Sequence, residues 1–332
     1  MNNTVINIAE QFIESISLAR SQNTARTYKN AMNAFCETLS NHKMPPGETE
    51  ISNISEEAIS WFANDLKYLS PSSEQLYLTA VAGFYQYLAA EGLADINLPR
   101  VRLLIRQRSR RPGKRLPQFP QSDIENIVNY AINLASRPTN HPGEQLINLR
   151  DRAFILTLAD TGLRVHEACN LRRGDVDWNE GRALIIGKGD QQAIVRFSSR
   201  SLSALKDYLS ARGAIDGASS RPLASLPLFS RHDRGAGKKV KSITTTTGRN
   251  IITQRVIEAL GPEAAGRITP HSFRHYFVTT VLRGSGGNLK LAQELARHHN
   301  ISVTQRYAHL SDDELDRGYW KIFEDLPSKE TG

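Results

Sequence analysis

Residues 149–171 read LRDRAFILTLADTGLRVHEACNL. The stretch is a long helical pattern interrupted at Thr161-Gly162, because glycine is a common helix end and a poor helix interior. Arg164 follows the break. Taken alone, it reads as a surface residue of the next helical turn. Glu167 comes three residues later, so the two share a helix face, and the carboxylate stands where it can orient the guanidinium.

Working outward toward the N-terminus, the first hundred residues carry helical patterns and no strand pattern. NTARTYKNAMNAFCETL places Tyr28, Met32 and Phe35 at helical spacing, with Asn23 or Thr24 as the expected N-cap. SEEAISWFANDLKYL begins at Ser55 with glutamate near the capping-box position. SPSSEQLYLTAVAGFYQYLAAEGL starts at a Ser-Pro-Ser signal and ends near Gly92, with Leu76, Ala80, Phe84 and Leu88 as its expected apolar stripe. These residues predict a small all-helical domain over 1–105, an ordinary domain size. A basic linker is expected over 106–117. From Arg100 to Arg115 the chain has eight basic residues and no acidic one. A run of that kind is usually solvated, and here it lies between two helix-rich segments, where phosphate is its natural partner. Arg106, Arg108, Arg110, Arg111, Lys114 and Arg115 are the candidate nucleic-acid phosphate contacts.

A second domain is expected over 118–332, its first helix capped by Ser122. Past Leu171, Ala183 to Ile186 and Ala193 to Phe197 read as strands joined by GKGD, a hairpin with Lys188 at its tip. A lysine in such a turn is usually only solubilising, although the flanking glycines let the backbone approach a ligand closely. Residues 218–248 are polar and loop-rich. Helical patterns then return in IITQRVIEAL, HSFRHYFVTTVLR and NLKLAQELARH. Pro270 opens the second of these, and His271 and Arg274 share one face at i, i+3. His275 is expected to be structural. His298 and His299 are adjacent, so on a helix they face different ways, and no cysteine or carboxylate stands at metal-ligand spacing from them. No metal site is expected. Tyr307 lies nine positions after His298. No internal repeat is visible.

The chain has 332 residues, 39% of them hydrophobic, which fits two domains better than one. It has 42 Lys and Arg against 34 Asp and Glu, a net charge of +8, and its pI is about 9.5. That balance points to a polyanionic partner. No apolar run is long enough to span a bilayer, and MNNTVINIAEQFIES lacks the basic and apolar regions of a secretory signal. Cys36 and Cys169, the two cysteines, are far apart, which fits packed thiols in a reducing compartment. A cytoplasmic location is expected.

Four elements together, the arginine of TGLRVHE, the lysine of GKG, HSFRH, and a histidine nine residues before a tyrosine, resemble the catalytic signature of the tyrosine recombinases, the phage-integrase and Xer-like group of site-specific DNA recombinases. Residues near 24–110 resemble the family's helical core-binding domain. Each motif alone is modest, but all four stand in the family's order. The family often has Leu-Gly-His ahead of the nucleophile segment. Here the chain reads ARHH, with Arg297 in place of the glycine, and Phe273 stands where leucine is common.

The resemblance implies a mainly α fold with a small β-hairpin or sheet. Its two domains would be a helical core-binding (SAM-like) domain and a catalytic domain, clamping double-stranded DNA that carries specific recombination sites. It implies Arg164, Lys188, His271, Arg274, His298 and Tyr307 as catalytic residues, with Glu167 supporting, and no cofactor, metal or ATP. Attack on a phosphodiester builds charge on the non-bridging oxygens, which two guanidiniums can hold in fixed geometry. Tyrosine, with a reference pKa of about 10, needs neighbouring cations and a base to act as nucleophile. A 3′-phosphotyrosyl bond keeps the ester's energy, so strands rejoin without ATP. The resemblance also implies a homo-tetramer, a Holliday junction, accessory DNA-bending proteins in some systems, and integration, excision or resolution of DNA elements. Leu315, Tyr319, Ile322 and Phe323 form an apolar stripe near the C-terminus, which by resemblance docks on a neighbouring protomer and otherwise packs on its own domain. No added N-terminal arm-binding domain is seen, which favours a simple recombinase. The rivals are a non-catalytic DNA-binding regulator, a topoisomerase of the same chemistry, and a metal-dependent nuclease.

Overall fold

Most of the described chain is helical, and local capping explains where the helices begin. The computed structural model describes residues 3–110, 120–187, 192–233, 235, 239–298 and 300–305. These fall into two units, Met1–Arg115 and Leu116–Gly332.

The first unit contains α1 (Val5–Ala19), α2 (Gln22–Asn41), α3 (Glu57–Asp65), α4 (Pro71–Ala90) and α5 (Leu98–Arg108). Ser21, rather than Asn23 or Thr24, caps α2: its hydroxyl accepts the Thr24 N–H, and the two expected caps already lie in the first turn. Ser55 does not cap α3. Its carbonyl instead accepts the Tyr85 hydroxyl at 2.7 Å. Ser70 caps α4 with Pro71 as first helical residue, the position where a missing N–H is harmless. The expected stripe on α4 needs correction. A four-residue step advances about 40° around a helix, so over twelve residues the row rotates by about 120°. Leu76 is accordingly exposed, while Leu78, Val81, Phe84, Tyr85 and Leu88 are fully buried. They meet Phe12 of α1, Phe35 of α2 and Phe62 of α3, with Phe35 and Phe62 in an edge-to-face pair at 5.3 Å. Helix α5 carries the first half of the basic run, held by buried Val101, with Arg102, Arg106 and Arg108 exposed.

The second unit contains α6 (Gln121–Asn133), α7 (Pro142–Thr161), α8 (Val165–Asn170), β1 (Val176–Asp177), β2 (Arg182–Ile186), β3 (Gln192–Arg196), α9 (Ser199–Ala211), α10 (Gly213–Gly217), α11 (Thr245–Leu260), α12 (Pro270–Gly284), α13 (Leu289–Ala296) and α14 (Ile301–Gln305). Ser122 lies inside α6, whose N-cap is Pro120. Helix α7 runs through the core: Ala153, Phe154, Ile155 and Leu158 are fully buried, and α6, α9 and α12 pack around it. The expected hairpin is present. Strands β2 and β3 pair antiparallel from Arg182↔Arg196 to Ile186↔Gln192, and β1, too short to show a pattern in sequence, adds Val176↔Ala183 to make a three-stranded sheet. Ala183, Ile185 and Val195 are buried beneath it, while Leu184, Ile186 and Ile194 are open on its other face, the alternation a half-covered sheet requires. Buried Arg212 pins the loop-rich stretch by donating to the Pro227 and Leu228 carbonyls and to Ser230 Oγ. Gly248 lets α11 approach α8: a Cβ there would stand 3.0 Å from Cys169 Sγ and Phe154. Among the described residues, no helix is long and apolar enough to cross a membrane.

Candidate active site

The break read at Thr161-Gly162 is the pivot of the site. Helix α7 ends at Thr161, and Gly162 caps it in the left-handed region (φ 60°, ψ 20°). Thr161 Oγ1 accepts the Leu163 N–H and donates to the Thr157 carbonyl. The chain thereby reverses into α8, with Arg164 as its N-cap. Glu167, buried at 3% side-chain exposure, accepts the Arg164 backbone N–H at 2.8 Å and its Nη1–H at 2.9 Å. The expected orientation of Arg164 by Glu167 is thus present as two hydrogen bonds. Burial alone would raise the Glu167 carboxyl. The Arg297 charge and the Arg164 hydrogen bonds outweigh it and hold the group below the ordinary carboxylate value.

Helix α12 starts at Pro270 and brings three further residues. Arg274 is buried at 3% exposure. Its Nη1 donates to the Gly162 carbonyl at 2.5 Å, and its Nη2 donates to the Ala296 carbonyl at the end of α13. One guanidinium therefore ties the α7–α8 turn to α13. His271 lies one turn earlier and is exposed. Partial desolvation, then the Arg274 and Arg164 charges, lowers its pKa. His275, expected to be structural, stands on the same side of α12 as His271. Counted from His271 it is i+4, and its ring stands edge-on to that of His271 at 4.4 Å. Desolvation and then the charges of His271 and Arg274 push His275 down to about 4.

The third element is the end of α13. Arg297 adopts φ 57°, ψ 47° and turns the chain so that His298 follows. His298 Nδ1 hydrogen-bonds with Thr304 Oγ1 of α14 at 2.8 Å. Desolvation, followed by Arg274 and Arg164, pushes His298 down to about 4. All three histidines are neutral at pH 7, beside two guanidiniums. Such a site can hold an oxyanion between its guanidiniums and offers neutral imidazoles that can accept a proton.

Arg164, Glu167, His271, Arg274 and His298 are thus brought together from α8, α12 and the end of α13. Lys188, His299, Tyr307, Arg111, Lys114, Arg115 and the C-terminal stripe at Leu315, Tyr319, Ile322 and Phe323 lie outside the described residues. Arg106 and Arg108 are exposed on α5. Arg110 is already engaged: its Nε and backbone N–H both donate to buried Glu74, and its Nη2 donates to the Leu69 carbonyl. Arg297, which the sequence shows only as a departure from the family's glycine, reaches Glu167 Oε2 with its Nη2 at 3.1 Å. The signal available was an arginine at a helix end where the pattern expects glycine.

The pattern of the Phage integrase family matches residues 119–314, which contain every element of this site. The chain belongs to the phage integrase family. It is a tyrosine recombinase, an enzyme of site-specific DNA strand transfer. The family's N-terminal SAM-like domain matches residues 9–92, within the helical first unit. Among curated relatives, a tyrosine recombinase XerC of Pelobacter propionicus is 33% identical over 254 residues, covering 75% of this chain and 72% of the relative. A tyrosine recombinase XerC of Thermodesulfovibrio yellowstonii is 29% identical over 97% of both chains. Two solved structures share the recombinase's fold. The XerH recombinase in a post-cleavage complex with palindromic difH superposes with a TM-score of 0.64 at 20% identity, covering 91% of this chain and 80% of that one. A lambda integrase fragment, a dimer bound to a COC′ core site, gives 0.61 at 16% identity, covering 92% and 95%.

Proposed function

We propose that this recombinase cuts and rejoins DNA at specific sites through a 3′-phosphotyrosyl bond at Tyr307. The reading rests chiefly on one observation: Arg164 and Arg274 are anchored to the same turn, Arg164 through Glu167 and Arg274 through the Gly162 carbonyl. In the proposed step the two guanidiniums hold the non-bridging oxygens of the scissile phosphate as charge grows on them. Tyr307 Oη attacks phosphorus, and its proton passes to His271, which is neutral at pH 7 and can accept it. The bond from phosphorus to the 5′-oxygen breaks, and Lys188 supplies the proton that oxygen needs. His298 donates a hydrogen bond to the phosphate. Reversal by another 5′-hydroxyl rejoins the strand, with no metal, ATP or cofactor.

Two sites brought together by a homo-tetramer would exchange strands through a Holliday junction, with accessory DNA-bending proteins in some settings. The C-terminal stripe from Leu315 to Phe323 would dock on a neighbouring protomer. The two domains would clamp the duplex, with Arg106 and Arg108 on phosphates and Arg111, Lys114 and Arg115 continuing the track. Arg110 contributes by holding the start of that track to Glu74. The work would take place in the cytoplasm, on integrating, excising or resolving DNA elements.

The test uses wild type and Tyr307→Phe with nicked duplexes from the chain's own genetic surroundings, in EDTA and without ATP. Wild type should form an adduct that survives SDS and disappears with protease, and Tyr307→Phe should form none. An adduct that persists in the variant moves the nucleophile elsewhere and breaks the assignment.

A further inference from the structure

Arg297 has no part in the proton and phosphate chemistry above, yet it stands at the centre of the site. It ends α13 in the left-handed region, at φ 57°, where any residue with a Cβ is disfavoured and glycine is not. Its side chain is 12% exposed. Nη2 meets Glu167 Oε2 at 3.1 Å and the Gly162 carbonyl at 3.4 Å, and Nε and Nη1 are buried with no hydrogen-bond partner. Burial, first among the causes, lowers its pKa, against the pull of Glu167. A glycine would relieve both the backbone and the desolvated cation.

What the guanidinium does there follows from the carboxylate it shares. Glu167 gives Oε1 to Arg164 Nη1 and Oε2 to Arg297 Nη2 and the Arg164 backbone N–H. An arginine and a carboxylate left to themselves favour two parallel bonds, which would take up two of the five guanidinium N–H groups. With Arg297 holding Oε2, the carboxylate is split between two cations, and the Arg164 guanidinium pairs with it through Nη1 alone. The Gly162 carbonyl, shared by Arg274 and Arg297, couples the same split to the second phosphate-binding arginine.

We infer that Arg297 is a positioning residue for strand cleavage: by holding one oxygen of Glu167 it keeps Arg164 turned toward the phosphate instead of closed on its own carboxylate. The inference rests on the reading of Arg164 as a phosphate ligand. It makes the departure from glycine at this position a working part of this site.

The test is single-turnover cleavage, at saturating protein, of the nicked duplex on which the Tyr307 adduct forms. It compares wild type, Arg297→Gly, Arg297→Lys and Arg164→Ala, with DNA affinity and thermal unfolding measured on each. Arg297→Gly is suited to the position's backbone, so a defect in it reports the lost guanidinium. It should cleave at least tenfold more slowly, with affinity within about twofold of wild type and no lower melting temperature. Arg297→Lys, which can still pair with Glu167, should recover part of the rate. Wild-type cleavage by Arg297→Gly, with Arg164→Ala inactive, would overturn the role of Arg297 alone. Loss of affinity or melting temperature at an unchanged saturated rate would also overturn it, leaving a structural role. Wild-type cleavage by Arg164→Ala would instead remove the reading on which it rests.

Discussion

Replacing Gly162 by alanine should damage folding and cleavage together, by an amount that can be worked out from the turn. Two costs add. The residue has φ 60°, and a left-handed backbone costs a Cβ-bearing residue about 1–2 kcal/mol. A Cβ built there strikes the ring of Phe277 on α12, and overpacking of that kind costs about 1–3 kcal/mol. The ring is only half-buried and can give way somewhat, so a total of about 3 kcal/mol is expected, a factor of roughly 150 in the folding constant. Gly92 supplies the control. It too has positive φ, at 64°, but nothing beyond its chain neighbours lies within 4 Å of its Cβ position. Gly92→Ala should therefore cost only the backbone part, about 1–2 kcal/mol, and in the first unit. Equilibrium urea unfolding followed by circular dichroism measures both, and cleavage of nicked DNA measures the second effect. Any shift of the Gly162 carbonyl displaces the anchor of Arg274 Nη1, so cleavage at saturating DNA should fall by tenfold or more even where the variant is folded. Stability losses equal in the two variants, with wild-type cleavage by Gly162→Ala, would refute the argument that this turn needs glycine and positions Arg274.

Glu167→Gln should lower stability by about 3 kcal/mol, the lower end for broken buried pairs because Arg164 stays partly solvated, and slow cleavage more than it weakens DNA binding; urea unfolding, a gel-shift titration and cleavage of nicked DNA check all three. Acid should destabilise the second unit. His275 and His298 fall from 6.5 to about 4 in the folded state, so their contribution is complete above pH 6.5 and is lost as pH falls toward 4. Unfolding midpoints measured from pH 7.5 to 4 should drop over that window, and drop less in a His275→Asn, His298→Asn double variant. Burial pushes the thiol of Cys169 up to about 12, so it should not react with a thiol reagent at pH 8 until urea unfolds the chain; rapid labelling of Cys169 in a native Cys36→Ser variant would contradict its packing against α11.

The sequence by itself determined what depends on neighbouring residues. Proline at a helix start, a glycine break and alternating strand residues act over a few positions, so the opening of α12 at Pro270, the turn at Gly162 and the β2–β3 pairing were all legible. The grouping of Arg164, His271, Arg274 and His298 was legible through their order along the chain, by likeness to a family. The tertiary structure alone decided whatever depends on who stands opposite. Ser21 rather than Asn23 caps α2 because of where the preceding chain arrives. Leu76 is exposed because the face of α4 is set by Phe12, Phe35 and Phe62 from three other helices. Arg110, read as a phosphate contact, is spent on buried Glu74, which lies thirty-six residues away in sequence. Arg297 read only as a departure from the family's glycine, and only folding reveals that its guanidinium reaches Glu167 across 130 residues. Charge states follow the same division: a histidine's reference pKa belongs to the residue, but the desolvation and the two guanidiniums that keep His298 neutral exist only once α8, α12 and α13 have come together.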